Sequence, residues 1–206
     1  PKAVQRPEGV TVHESGHQFL YGILASNEFE EAWLDEGFNT YMTDRVLRAA
    51  YGNDHVELNV FGLHFPLGID IHRPLDSNRR YFETADWDDL AVPSWKFRSR
   101  KSYGSLVYSK TALILATLER MLGTATMDRA LRLYADRWRF RHPTTADFVA
   151  AVREATGQDW GWFFDRTFSS SGVVDYAVEE ATSSPAKAPR GLFEKDGALV
   201  AGPPAD

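Results

Sequence analysis

Cysteine is absent from the 206-residue sequence, so it can build neither a disulfide nor a thiolate metal site. A cysteine-free chain fits any compartment, and the absence does not locate the protein. Positive charge is also short. The 23 Lys and Arg against 29 Asp and Glu leave a formal net charge of −6, which argues against nucleic acid or an anionic membrane surface as a partner. No long apolar run is present, so nothing reads as a membrane span. The opening PKAVQRPEGV lacks the apolar core of a signal peptide. A precursor could have lost one, so the compartment stays open between extracytoplasmic and cytoplasmic.

What remains is the composition of an ordinary globular protein, 43% hydrophobic and 25% charged. The length favours one domain with modest room for a second. Residues 8–24, EGVTVHESGHQFLYGIL, read as a helix with apolar Val10, Phe19, Leu20 and Ile23. A polar turn follows, with Ser26 or Asn27 as caps, and WLDEGFNTYMTDRVLRAAYG reads as a second helix ending near Gly52. From there to about residue 102 the glycines and three prolines predict loops and short helices rather than a regular layer.

Helical periodicity returns in SLVYSKTALILATLERMLG, closed by Gly123, and in TMDRALRLYADRWRF. HPTTADFVAAVREATG carries its own punctuation, with Thr144 as cap, Asp147 three residues on and Gly157 at the end. DWGWFFDRTFSSSG gives one more short aromatic helix, so residues 1–172 are expected to be mainly α. After that, VVDYAVEEA has strand composition, TSSPAKAPR is linker-like, and GLFEKDGALVAG predicts a hairpin around Asp196-Gly197. Two or three strands make no stable sheet alone. Residues 173–206 therefore read as a strand-like tail, the start of a truncated β domain.

The chemistry concentrates in VTVHESGHQF, residues 10–19. His13 and His17 stand four apart, which on a helix puts them on one face with Cβ atoms about 5–6 Å apart. One ion could take a nitrogen from each. Glu14 is rotated by about 100° from His13, out of the first shell but within reach of a metal-bound water. Eighteen residues separate His17 from Glu36, which opens the next helix, and a turn between two antiparallel helices would return its carboxylate to the histidines. Two imidazoles and one carboxylate leave a fourth tetrahedral position open, as in catalytic zinc sites.

VHESGHQF followed by WLDEGFNTY resembles the gluzincin zinc peptidases, and specifically the aminopeptidase N family. That family carries H-E-x-x-H, eighteen residues, then glutamate within W-L-x-E-G-[FIM]. VYSKTALILATLERMLG resembles its Y-x-K-G/A helix, and FRHPTTADFVAAVREATGQDWGWFFDRTFSSSG its helical region beyond the active site. The resemblance covers roughly residues 8–178. It implies a thermolysin-like helical catalytic domain that binds Zn2+ through His13, His17 and Glu36 and hydrolyses peptides, most simply as an aminopeptidase. Glu14 takes the general-base role, and Tyr108 that of the tyrosine that stabilises the transition state. Lys110 falls at the lysine position, with Thr111 where glycine is usual.

Some of the family's pattern is not matched. The strand segment G-x-M-E-N, whose glutamate binds the substrate amine, has no counterpart, and neither does the family's N-terminal β domain. The chain alone is therefore expected to turn over peptide substrates weakly or not at all. Asp35 replaces the more usual asparagine before the ligand glutamate, a small change that could tune the groups around the ligands, and Thr40 or Asp44 could orient a ligand histidine.

Several residues carry blander readings. Tyr103 is a rival to Tyr108 five positions earlier, and Lys110 reads as a solvated helix residue. His55, His64, His72 and His142 have no ligand spacing, and His142 is expected to pack or cap beside its helix. ADWDDL could recognise a substrate amine, but a helix-start cluster is the favoured reading. WKFRSRK could dock a substrate carboxylate, but a solvated strand or loop face is the favoured reading. Trp33 and WGWFF read as core. The alternative function is a non-catalytic zinc-binding scaffold or protein-interaction module of the same fold. Such a protein would tolerate loss of Glu14 or a ligand, and here every position is intact.

Overall fold

Glu8 in the first turn and Gly16 at the last position bound the first helix, α1 (Arg6–Gly16). The computed structural model describes residues 6–52, 55–60, 63–70, 80–172, 180, 182–183, 191–195 and 197–201. The helix expected over 8–24 thus stops at Gly16. Beyond it the backbone opens into wider turns, with Gly22 N–H donating to the His17 carbonyl and Leu24 N–H to that of Phe19, both five residues back. This stretch is held from outside. Ala25 N–H donates to the Arg141 carbonyl, Phe140 N–H to that of Ile23, and His142 Nδ1 lies 2.8 Å from the Ala25 carbonyl. Of the apolar residues along this stretch, Val10 and Phe19 are exposed.

Asn27 caps the short helix α2 (Glu28–Glu31), accepting from Phe29 N–H at 3.1 Å. A 3₁₀ turn (Ala32–Leu34) leads into α3 (Glu36–Tyr51), which ends at Gly52 with φ of 74°. Strands β1 (His55–Val60) and β2 (Leu63–Asp70) then form an antiparallel pair, with Val60 opposite Leu63 and Leu58 opposite Phe65. This corrects the expectation of loops and short helices. The two runs are separated by only two residues, a hairpin spacing that outweighs the breaker composition.

A 3₁₀ turn at Ser94–Lys96 precedes α4 (Arg100–Tyr103), which runs directly into a π-helical segment, Gly104–Lys110, and then α5 (Thr111–Leu122). Helices α6 (Thr124–Trp138), α7 (Thr145–Thr156) and α8 (Gly161–Phe168) follow. The α7 signals act as expected. Thr144 and Asp147 form a reciprocal capping box, and Gly157 is left-handed at φ of 68°. ADWDDL does not start a helix. Asp88 instead accepts Arg98 N–H at 3.0 Å and the Ser102 hydroxyl, stapling the loop ahead of α4.

The chain divides into two compact units, Pro1–Val173 and Val174–Asp206. The core of the first is aromatic. Trp33 stacks on Phe38 and meets Phe168 edge-on at 4.5 Å, while Phe38 meets Phe148 at 4.8 Å. The Trp33 indole N–H reaches Thr145 Oγ1 at 2.9 Å, so the turn before α3 is bolted to the start of α7. WGWFF joins this core through Trp160, Phe163 and Phe164, but Trp162 is exposed. In the second unit, β3 (Leu192–Lys195) and β4 (Ala198–Ala201) pair antiparallel with Lys195 opposite Ala198, the expected hairpin, and Gly197 has φ of 78°. The strand expected at VVDYAVEEA falls almost wholly outside the described residues.

Candidate metal centre

Two glycines let α1, α3 and the π segment close on one another. A Cβ on Gly16 would run into the Asn39 amide, and that amide donates to the His13 carbonyl at 2.6 Å, tying α1 to α3. A Cβ on Gly37 would collide with Thr111 and approach the Val107 carbonyl to 2.6 Å. Glu36 therefore sits where α3 presses against the segment that carries Tyr108.

At this junction His13, His17 and Glu36 converge, each offering one donor atom within 4.8 Å of the others. Glu36 Oε2 lies 3.0 Å from His13 Nε2 and 3.4 Å from His17 Nε2. Tetrahedral ligands about 2.0–2.2 Å from zinc stand roughly 3.3–3.6 Å apart, so the donor set fits such an ion in kind and the two carboxylate–imidazole separations lie close to what it needs. The other nitrogen of His17, Nδ1, is 2.7 Å from Asp35 Oδ1. If Nδ1 carries the proton, the Nε2 lone pair points at the junction.

Asp35 is nearly buried, and desolvation lifts its carboxyl to about 6, against the opposing hydrogen bond from His17. Burial would raise Glu36 too, but hydrogen bonds from His13 and Tyr108 and the two histidine charges bring it below the usual carboxylate range.

Thr40, a candidate for orienting a histidine, donates instead to the Glu36 carbonyl of its own helix at 2.8 Å. Glu14 is exposed and lines a cleft of about 620 Å³ together with His13, Asp44, Arg100, Lys101 and Tyr108. Tyr108 stacks over His13 at 6.1 Å and hydrogen-bonds Glu36, and burial with that bond pushes its phenol far up. Tyr103 turns elsewhere, donating to Glu28 Oε1 at 3.2 Å.

Lys110 departs from the solvated reading. It is buried, donates to the Ser170 carbonyl at 2.9 Å, and is lowered by desolvation. One contributor, Asn39, gives no signal in the sequence, because its partner is a backbone carbonyl of another helix. Asp35, the departure from the family pattern, lies against His17, where it can tune one of the three donors.

Fold and site together define a class, the helical domain of a metallopeptidase. The chain belongs to peptidase family M1, whose domain matches residues 2–167. This bears out the resemblance to the aminopeptidase N-like gluzincins. It is 23% identical over 150 residues to leucine aminopeptidase 2 of Coccidioides immitis (strain RS), spanning 73% of this chain and 23% of that protein. A leukotriene A-4 hydrolase homolog of Botryotinia fuckeliana (strain B05.10) is 23% identical over 190 residues, 86% of this chain and 28% of that protein. The chain thus spans about a quarter of the length of these curated relatives. Among solved structures, an M1 zinc metallopeptidase from Deinococcus radiodurans superposes with a TM-score of 0.60 at 18% identity, covering 82% of this chain and 34% of that one. The mainly helical fold is therefore shared with that family.

Proposed function

We propose that His13, His17 and Glu36 hold a catalytic zinc ion and that the site hydrolyses peptide bonds, as an aminopeptidase. The observation that carries this reading is the meeting of three donors at one point, with Asp35 behind His17. The several leucine aminopeptidases among the relatives support removal of N-terminal residues. Zinc in such a site lowers the pKa of a bound water to about 7 and polarises a carbonyl.

The chain's own residues do the rest. Glu14, exposed in the cleft beside His13, takes a proton from the attacking water as general base and delivers it to the leaving amine. Tyr108 stays protonated far above neutral pH, so its hydroxyl remains a donor. It releases Glu36 and turns to the oxyanion that forms on the scissile carbonyl. Asp35 fixes the tautomer and orientation of His17. The helical unit supplies every one of these groups, and we assign residues 1–172 as the catalytic domain and 173–206 as a separate strand-like tail.

The test is metal content and turnover of the full-length protein on aminoacyl and peptide substrates. One zinc per chain is expected, lost in His17→Ala. Glu14→Gln should keep the metal and lose about 10²- to 10⁴-fold in rate. Metal retained without His17, or near-normal turnover in Glu14→Gln, would sink the assignment. A zinc-replete protein inactive on every peptide would favour the scaffold reading.

A further inference from the structure

The stretch WKFRSRK concentrates positive charge in a chain of net charge −6, and its last two residues line the cleft that holds His13, Glu14 and Tyr108. Cleft-lining positions recur along this helix with a period of four. Arg100 and Lys101 come first, then Gly104 and Ser105, then Tyr108 and Ser109. An α-helix would drift off such a period, whereas the wider π turns from Gly104 to Lys110 hold it closer to one face. One helical wall of the cleft thus begins in cations and ends in the phenol beside Glu36.

The two cations differ in what they meet. Lys101 is engaged, with Nζ 2.8 Å from Glu83 and 5.9 Å from the centre of the Trp87 ring. The Arg100 guanidinium has no hydrogen-bond or ion-pair partner among the described residues. Its backbone is held firmly nonetheless. Ser99 caps α4 by accepting Ser102 N–H at 3.1 Å, and Asp88 accepts from Arg98 N–H and the Ser102 hydroxyl. A planar cation whose donors meet no partner among the described residues, on a backbone held beside the cleft, suits a carboxylate.

We propose that Arg100 is a specificity-determining residue that draws substrates bearing a carboxylate close to the scissile bond. The inference rests on the peptidase reading above and names the class of peptide it prefers. Eight helical residues rise about 12 Å at most, and an extended peptide advances about 3.3–3.6 Å per residue. The arginine side chain reaches back over part of that span. The carboxylate therefore belongs within about three residues of the bond that is cut, either as an acidic side chain or as the free C-terminus of a short peptide.

The test uses the zinc-loaded full-length protein and two matched substrate pairs. Trialanine as free acid against its C-terminal amide probes the terminal carboxylate. Amidated peptides with Asp or Asn in the first or second position probe the side chain. In at least one pair, wild type should favour the carboxylate by about tenfold or more in kcat/KM, as a charge-assisted contact requires. Arg100→Gln should erase that preference and leave the neutral substrates nearly unchanged, and Arg100→Glu should invert it. A wild type without charge preference in either pair, or a preference that survives Arg100→Gln, overturns the proposal.

Calorimetric binding of the same peptides to the Glu14→Gln variant, with and without Arg100→Gln, separates this inference from the reading beneath it. Discrimination through Arg100 without hydrolysis by wild type upholds the inference and sinks the peptidase assignment. Hydrolysis without charge preference does the reverse.

Discussion

Asp35 and His17 are joined at 2.7 Å between Oδ1 and Nδ1, and Asp35 directly precedes Glu36 in sequence. One turn of chain thus supplies both Glu36, a member of the converging group, and the partner that holds His17, another member. Asp35→Ala should weaken zinc binding about 10- to 100-fold, the usual loss when a partner behind a ligand histidine is removed. Asp35→Asn keeps an acceptor and should lose less. Competition against a chromogenic chelator measures both, and equal affinity across the three proteins would dismiss the coupling.

The two tyrosines face different carboxylates, Tyr108 towards Glu36 and Tyr103 towards Glu28. Tyr108→Phe should lower kcat by about 10²- to 10³-fold with little change in KM, because its contact with the oxyanion forms mainly in the transition state. Tyr103→Phe should do far less. Steady-state kinetics in which Tyr103→Phe is the worse variant would reverse the assignment.

Gly37 is packed against Thr111 and the Val107 carbonyl with no room for a methyl group. Gly37→Ala should cost about 1–3 kcal/mol of stability, the typical price of forcing a methylene into a filled space. Its activity should fall as well, since Glu36 and Tyr108 flank the contact. Chemical denaturation gives the first quantity. An unchanged midpoint would mean the two helices separate easily.

Tyr41 and Tyr134 carry phenols pushed up by burial, Tyr41 also by its hydrogen bond to Glu119. In the unfolded chain both titrate near 10. Above that pH the unfolded state binds fewer protons than the native one, so stability falls as pH rises. Below it their contribution is intact. Lys110, lowered by burial, works in the opposite direction as pH approaches its unfolded value. Tyr81, Tyr103 and Tyr108 are raised as well, so the tyrosines outweigh the one lysine and the net slope above pH 10 should be negative, and less steep in Tyr41→Phe and Tyr134→Phe. Urea titrations between pH 8 and pH 11 would detect it, and a flat profile would count against buried, protonated phenols.

The legible parts of the molecule were those written in short-range spacing. His13, Glu14 and His17 follow from helix geometry, and the Thr144–Asp147 box and Gly157 from capping chemistry. What the sequence concealed depends on partners far along the chain. Lys110 looked solvated because its acceptor, the Ser170 carbonyl, lies 60 residues away. The end of α1 was misplaced because turns pinned by Arg141 and His142 replace helix after Gly16. Asp88 looked like a helix start and is a loop staple, since its donors come from residues ten and fourteen positions on. At the site, the convergence of His13, His17 and Glu36 could be read from their spacing, but the tie from Asn39 to the His13 carbonyl could not, and only the fold brings Arg100 to the same cleft as Tyr108.

Those wider turns have a consequence for how the protein can vary. A π segment takes up more residues per turn than the α-helix flanking it, so it behaves like an insertion absorbed without breaking the helix. Deleting a single residue between Gly104 and Lys110 would let the stretch relax into ordinary α-helix while the helix on either side keeps nearly its present facing, because the widened turns absorb roughly the 100° that one residue adds. Within the stretch the facing of individual side chains would change, among them the buried Leu106 and Val107 and the Tyr108 bonded to Glu36. A change of length here thus falls on the side chains of the segment itself, while the helix on either side holds its place.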